Sequence, residues 1–122
     1  MSKNIMICAV LVFFALSMNV ALSDMVYPPE LMEVSAPYPG ATIAQTTNAS
    51  GTVMVMMESN DNPDSIFEFY KTELAANGWK IVNETKQQEA YMLVGEKGSK
   101  SVNVSIIKGG QSGKSTIMIS LY

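Results

Sequence analysis

NPDSIFEFYKTELAANGW, residues 62–79, contains the signals of both a helix start and a helix stop. Asn62 can cap the first turn, Pro63 suits the first helical position, and Asp64 is favoured by the positive end of the helix dipole. Asn77-Gly78 supplies a left-handed C-terminal stop. The stretch therefore predicts a helix over residues 63–77. Its apolar side consists of residues at three- and four-residue spacings: Ile66, Phe67, Tyr70 and Leu74.

The sequence on either side of this helix has the patterns of β-strands and turns. Alternating or continuous apolar runs bounded by turn residues predict strands at 41–47, 52–58, 79–83, 90–96, 101–107 and 115–121. Residues 48–51 form a turn between the first two. Short links between neighbouring strands favour antiparallel pairing, and a single helix must lie across one face. We therefore predict an α+β fold in ββαββββ order, with an antiparallel sheet of five to six strands and one helix packed across one face.

The N-terminus has the order of a secretory signal peptide. Lys3 precedes an apolar run over residues 5–18, and Ala21-Leu22-Ser23 places small residues before a cleavage site. The run is shorter than the ~20 residues that span a membrane, although an uncleaved anchor stays an alternative. We predict a signal peptide at residues 1–23, an extended Pro-rich arm at 24–40 and a single α+β domain at 41–122. The mature chain would be exported, either periplasmic or secreted.

The composition narrows the chemistry that the chain can perform. It has no His and no Arg, and Cys8 would leave with the signal peptide. Zinc, haem and iron–sulfur sites lose their usual ligands, and catalysis would depend on Asp, Glu, Lys, Tyr and Ser. Seven lysines and eleven acidic residues give the mature chain a net charge of −4. We therefore expect no enzymatic activity, no cofactor, no metal site, no nucleic-acid partner and no stable membrane anchor after cleavage.

KGGQSGKST, residues 108–116, looks like a phosphate-binding loop but departs from its pattern. The motif G-x-x-x-x-G-K-[ST] requires glycine five residues before Gly113, where this chain has Lys108. The loop must also lead into a helix, whose N-terminal amides hold the phosphates, whereas TIMISL has the alternation of a strand. We therefore interpret the segment as a hairpin loop and expect no nucleotide binding.

Strand alternation divides the predicted sheet into an apolar face for the helix and an opposite face that carries methionine. The candidate interaction face consists of Met54, Met56, Met118, Asn103 and Ser105. Methionine adapts to varied partners, so this face predicts a protein partner or a homo-oligomer. Thioethers also bind Cu(I), which makes a methionine-based Cu(I) carrier the alternative. A hydrolase that works through carboxylates ranks last.

A small number of motifs, all of them structural, carry a resemblance to a known group of proteins. Tyr38-Pro39-Gly40-Ala41 opens the first hairpin, and the helix has the form FY…L…GW, with Phe69-Tyr70, Leu74 and Gly78-Trp79. This pattern resembles a loosely defined family of small exported bacterial domains of unknown function, many of them lipoproteins, over about residues 36–122. The resemblance implies an α+β fold and an envelope location, and it brings no catalytic residues. This chain lacks the lipid-attachment cysteine of the lipoproteins.

These observations together predict a small, exported, non-enzymatic envelope domain that acts by protein binding or self-association. They do not name its ligand, partner or pathway.

We expect residues 1–23 to be absent from exported material, because the small residues before Asp24 match a signal-peptidase site. Intact-mass measurement of the secreted or periplasmic chain checks this. A mass that includes Met1 to Ser23 would show that the segment is an anchor.

Overall fold

The computed structural model of this chain describes residues 25–109 and 113–122. The predicted signal peptide and residues 110–112 of the loop 108–116 lie outside the described residues. Within them, six strands form one antiparallel sheet and one α-helix packs across it, which confirms the predicted fold class. The elements are a short 3₁₀ helix at Pro29–Glu33, then β1 Thr42–Ala49, β2 Thr52–Ser59, α1 Pro63–Ala76, β3 Lys80–Lys86, β4 Ala90–Lys97, β5 Lys100–Lys108 and β6 Ser115–Leu121.

The strands lie in the order β1-β2-β6-β5-β4-β3, and every neighbouring pair is antiparallel. After β2 the chain crosses the sheet through α1 and begins β3 at the far edge. β4, β5 and β6 then return until β6 pairs with β2. A helix of this length spans about 21 Å, close to the ~24 Å between the outer strands of a six-stranded sheet. The crossing leaves β1 and β3 as the two edges.

Both ends of α1 are capped as the sequence predicts. The Asn62 side chain accepts a hydrogen bond from the Ser65 amide at 2.9 Å, which satisfies one of the free donors of the first turn. At the other end, Gly78 has a φ of 86°, and the Trp79 amide donates to the Leu74 carbonyl at 2.9 Å. That bond closes a Schellman motif, which turns the chain sharply into β3.

The first hairpin differs from the prediction, because its turn is shorter. Asn48 and Ala49 belong to β1, and only Ser50 and Gly51 form the turn, with φ values of 55° and 82°. Two successive positive φ angles define the two-residue turn whose twist matches that of paired strands. The composition of residues 48–51 suits any tight turn, so it marked the position of the turn and left its length open.

One face of the sheet, the inner face, forms the core with α1. Its buried side chains on three neighbouring strands are Val53, Val55 and Met57 of β2, Val102, Val104 and Ile106 of β5, and Ile117, Ile119 and Leu121 of β6. The helix contributes the four residues predicted for its apolar side, all of them buried. Gly95 of β4 leaves room for this packing, because a side chain there would meet Val102 at 3.2 Å.

The helix does not cover the whole inner face. α1 makes its main contacts with β3, β4 and β5. The described part of the N-terminal arm, residues 25–40, supplies further cover, since Leu31 and Val34 are fully buried in the same core. The arm is not extended throughout, because Pro28 and Pro29 start the 3₁₀ helix and the Leu31 amide donates to the Pro28 carbonyl at 3.0 Å.

Polar groups near the end of α1 hold the arm in place. The Glu73 carboxylate accepts from the Ser35 hydroxyl and the Ala36 amide, both at 3.3 Å. The Asn77 side chain donates to the Val34 carbonyl at 3.0 Å, and the Trp79 indole donates to the Glu33 carbonyl at 2.9 Å. These bonds satisfy backbone groups that the buried arm would otherwise leave without water, so arm and helix pack as one layer.

We expect Leu31→Ala to lower the free energy of unfolding by about 2–5 kcal/mol, because it leaves a cavity under the arm. Urea unfolding followed by circular dichroism measures the change. Met32→Ala is the matched control, since Met32 is 52% exposed and should change stability little. Equal effects of the two variants would mean that the arm is not part of the core.

Candidate functional site

The face of the sheet away from α1, the outer face, brings all five predicted interaction residues together. Met56 of β2 lies opposite Met118 of β6, which lies opposite Ser105 of β5. In the adjacent row Met54 lies opposite Ser120, which lies opposite Asn103. The five side chains therefore form one patch on the neighbouring strands β2, β6 and β5. Each of them is half-buried, as expected for a sheet face without a covering layer.

Met92 of β4 belongs to the same patch and was missed by the sequence prediction. It lies opposite Ser105 in the first row, and the Asn103 side chain donates to its sulfur at 3.9 Å. The Ser105 hydroxyl in turn donates to the Asn103 side-chain oxygen at 3.2 Å. Leu93 is buried, so alternation along β4 places Met92 on the outer face. That alternation was readable in the sequence once Leu93 had been assigned to the core.

The two rows run across all six strands without a charged side chain. The first row is Gln45, Met56, Met118, Ser105, Met92 and Thr85. The second row is Thr47, Met54, Ser120, Asn103, Val94 and Asn83. Charges occur at the ends of the strands, where Glu58 lies opposite Thr116 and Glu96 lies opposite Ser101. The centre of the outer face is therefore neutral on a chain of net negative charge.

The outer face contains a shallow depression. A depression of about 220 Å³ lies at the end of β4 and β5, where its walls include Thr85, Met92 and Ile107. Ile107 is 44% exposed and Met92 is 39% exposed, so apolar atoms reach solvent there. A depression this small and open suits a side chain from a partner surface better than an enclosed ligand.

Two tyrosines of the arm, Tyr27 and Tyr38, and Tyr70 of α1 have surroundings that keep their hydroxyls protonated. Burial raises the pKa of Tyr27 and of Tyr70, with a smaller contribution from the charge of Glu73. Burial and a 2.6 Å hydrogen bond to Asp61 raise the pKa of Tyr38 to about 12. Phenols with raised pKa values are neutral at physiological pH, so the Tyr27 hydroxyl donates to the Ser35 carbonyl and the Tyr38 hydroxyl donates to Asp61.

The Tyr70 hydroxyl is buried without a hydrogen-bond partner among the described residues. Tyr38 stacks beside it, with ring centroids 6.2 Å apart, and Phe69 meets it edge to face at 5.0 Å. The aromatic contacts account for the position of the ring.

In residues 25–109 and 113–122, no three His, Cys, Asp or Glu side chains are placed to hold a metal ion together. Nor is any helix in these ranges long and apolar enough to cross a membrane.

A comparison with known protein families shows to which family this chain belongs. The family model described as START domain-like matches residues 38–115. The chain belongs to this START domain-like family. The matched region begins at Tyr38 of the arm, runs through α1 and ends at the first residue of β6.

A relative of this START domain-like chain occurs in the archaeon Archaeoglobus fulgidus. That uncharacterised protein is 32% identical over 73 residues, which make up 57% of this chain and 80% of the relative. No solved structure matches the chain. The comparisons confirm a small domain from a group without a described function. They do not support the resemblance to exported bacterial domains in particular, so export stays a prediction.

We expect mild hydrogen peroxide to oxidise Met92, Met54, Met56 and Met118 well before Met57, because sulfoxidation follows solvent access. Met57 lies on the same strand as two of them but is only 1% exposed on the inner face. Peptide mass spectrometry of the folded chain measures the order. Protection of the outer methionines equal to that of Met57 would show that another layer covers the outer face.

Proposed function

We propose that this START domain-like chain is a non-enzymatic domain that self-associates through its outer face. The observation that carries the proposal is the pair of rows of uncharged side chains, apolar, hydroxyl and amide, across all six strands. The inner face is covered by α1 and the arm, whereas the outer face has no covering element among the described residues. A second copy of the chain is the occupant that fits this surface best.

Charge supports a second copy as the occupant. In a two-fold dimer the same patch lies on both sides of the interface, so any charge at its centre would meet its own kind. The centre of the outer face is neutral, and Glu58 and Glu96 lie toward its rim, where water can solvate them. A neutral centre with a charged rim is the usual distribution in protein interfaces. Methionine also adjusts its shape to the opposing surface.

The size of the outer face suits a weak dimer. Six strands at ~4.8 Å spacing and seven residues at ~3.3 Å give roughly 24 by 23 Å, or ~550 Å² on each copy. Two copies would bury about 1,100 Å², near the lower limit of specific interfaces and below the 1,200–2,000 Å² of stable ones. We therefore expect a dimer that dissociates on dilution.

The N-terminal sequence supports an exported or envelope setting for this activity. Lys3, the apolar run at residues 5–18 and the small residues before Asp24 are those of a signal peptide. The intact-mass measurement described above tests this part independently of the interface.

Cu(I) binding is the second candidate, and one observation favours it. Met56 and Met118 are directly opposite each other, and Met54 lies two residues from Met56 on the same face. Three thioethers at such spacing form a soft ligand set that prefers Cu(I) to the harder divalent ions.

The combination Met54→Lys with Met118→Lys tests self-association, because two buried ammonium groups would oppose their own copies across the interface. We expect sedimentation equilibrium to show concentration-dependent association for the unchanged chain and weaker association for this variant, which loses the face-to-face contact. Met54→Leu with Met118→Leu is the matched control. It keeps the apolar surface and should keep the dimer while it removes thioether ligands.

The leucine variant also separates the two candidates. Cu(I) or Ag(I) that shifts the methionine methyl resonances of the unchanged chain but binds at least tenfold more weakly to the leucine variant would favour the carrier. If the unchanged chain is a monomer at millimolar concentration, the proposal of self-association is wrong. If the lysine variant unfolds, Ser120→Lys, on β6 opposite Met54, provides the charge without removing methionine.

A further inference from the structure

The two edges of the sheet differ in how they are protected from pairing with another strand. Edge strands expose a row of unpaired amides and carbonyls, and proteins commonly guard them with charges, prolines or bulges. β3 reads KIVNETK and carries three charged residues, whereas β1 reads TIAQTTNA and carries none. Both strands have a bulge, at Val82 in β3 and at Ala44 in β1. The bulge in β1 leaves residues 45–49 in regular register.

Charged residues of β3 also form ion pairs with α1, and these further protect this edge from pairing with another strand. Lys71 of α1 lies 3.2 Å from Glu84, and Lys86 lies 3.5 Å from Asp64 at the start of α1. Lys86 also lies over the Phe67 ring, 4.7 Å from its centroid. An added strand beside β3 would have to accommodate these charged side chains. We find no corresponding ion pair on β1 within the described residues.

The turn at Ser50-Gly51 determines which backbone groups of β1 face outward. In a two-residue hairpin the residues flanking the turn, here Ala49 and Thr52, form a hydrogen-bonded pair. Hydrogen-bonded pairs alternate along an antiparallel ladder, so Thr47 and Gln45 also bond to β2. Thr46 and Asn48 therefore direct their amides and carbonyls away from the sheet.

We infer that β1 pairs with β1 of a second copy, antiparallel about a two-fold axis through Thr47. Thr46 of each copy would exchange two hydrogen bonds with Asn48 of the other, which satisfies all four outward groups on each strand. Thr47 would lie beside its own copy, and such threonine pairs are favourable across strands. The contact joins two sheets edge to edge and leaves both outer faces open, so it is separate from the face-to-face dimer proposed above.

One charge lies beside this edge and predicts the salt dependence of the pairing. The Asn48 side chain donates to the Glu30 carboxylate at 2.8 Å, so each copy would bring an acidic group near the axis. The chain is also negative overall. At physiological ionic strength charges are screened over about 8 Å, and added salt shortens that distance. Edge pairing should therefore strengthen as salt increases.

Amide hydrogen exchange measured by NMR on the purified chain tests the pairing residue by residue. Raising the protein concentration from about 0.05 to about 1 mM should slow exchange at Thr46 and Asn48 by about fivefold or more, and salt should slow it further. Glu84 and Lys86 are the matched controls. The Gln87 amide donates to the Ala90 carbonyl, so alternation directs the Glu84 and Lys86 amides outward on the other edge.

The same measurement on the Met54→Lys, Met118→Lys variant separates the two interfaces. Slower exchange at Thr46 and Asn48 in that variant would support edge pairing even if face-to-face association fails. Exchange at these two amides that does not depend on concentration would overturn the inference. Equal slowing at Glu84 and Lys86 would also overturn it, because it would indicate association without preference for β1.

Discussion

The width of the sheet is the constraint on which the rest of the structure depends. A six-stranded sheet is about 24 Å between its outer strands, while a helix with its side chains covers only ~10–12 Å. α1 lies mainly over β3, β4 and β5, so the remaining apolar surface of the inner face needs another cover. The arm provides it with Leu31 and Val34, and this explains why a proline-rich segment outside the sheet is part of the core.

The arm can cover the inner face only if its backbone amides and carbonyls find hydrogen-bond partners, because they are buried away from water. Glu73, Asn77 and Trp79 satisfy backbone groups of Ala36, Val34 and Glu33, respectively. These three residues also lie in the last turn of α1 or just beyond it. The same short stretch therefore ends the helix, begins the path to β3 and holds the arm. Among the described residues, no segment is held over the outer face in this way. The outer face therefore stays uncovered and is the candidate surface for association.

Much of the candidate site could be read from alternation alone. Met54, Met56 and Met118 fall on the side opposite to buried neighbours, and the structure places them in adjacent positions of two paired strands. Met92 was also readable from alternation along β4, because it is next to the buried Leu93, but the prediction missed it. The neutral centre of the outer face could not be predicted from the sequence, because it depends on the order of all six strands. A row across a sheet consists of residues that are far apart in the sequence.

The sequence by itself determined the elements, the capped ends of α1 and the two-sided character of each strand, because these follow from contacts between residues a few positions apart. Only the tertiary structure decided the strand order, the burial of the arm and the difference between the β1 and β3 edges. Those features follow from the crossing of α1 over the sheet, which places β3 opposite β1. The path of α1 across the sheet depends on the packing of the whole inner face, so no local sequence pattern predicts it.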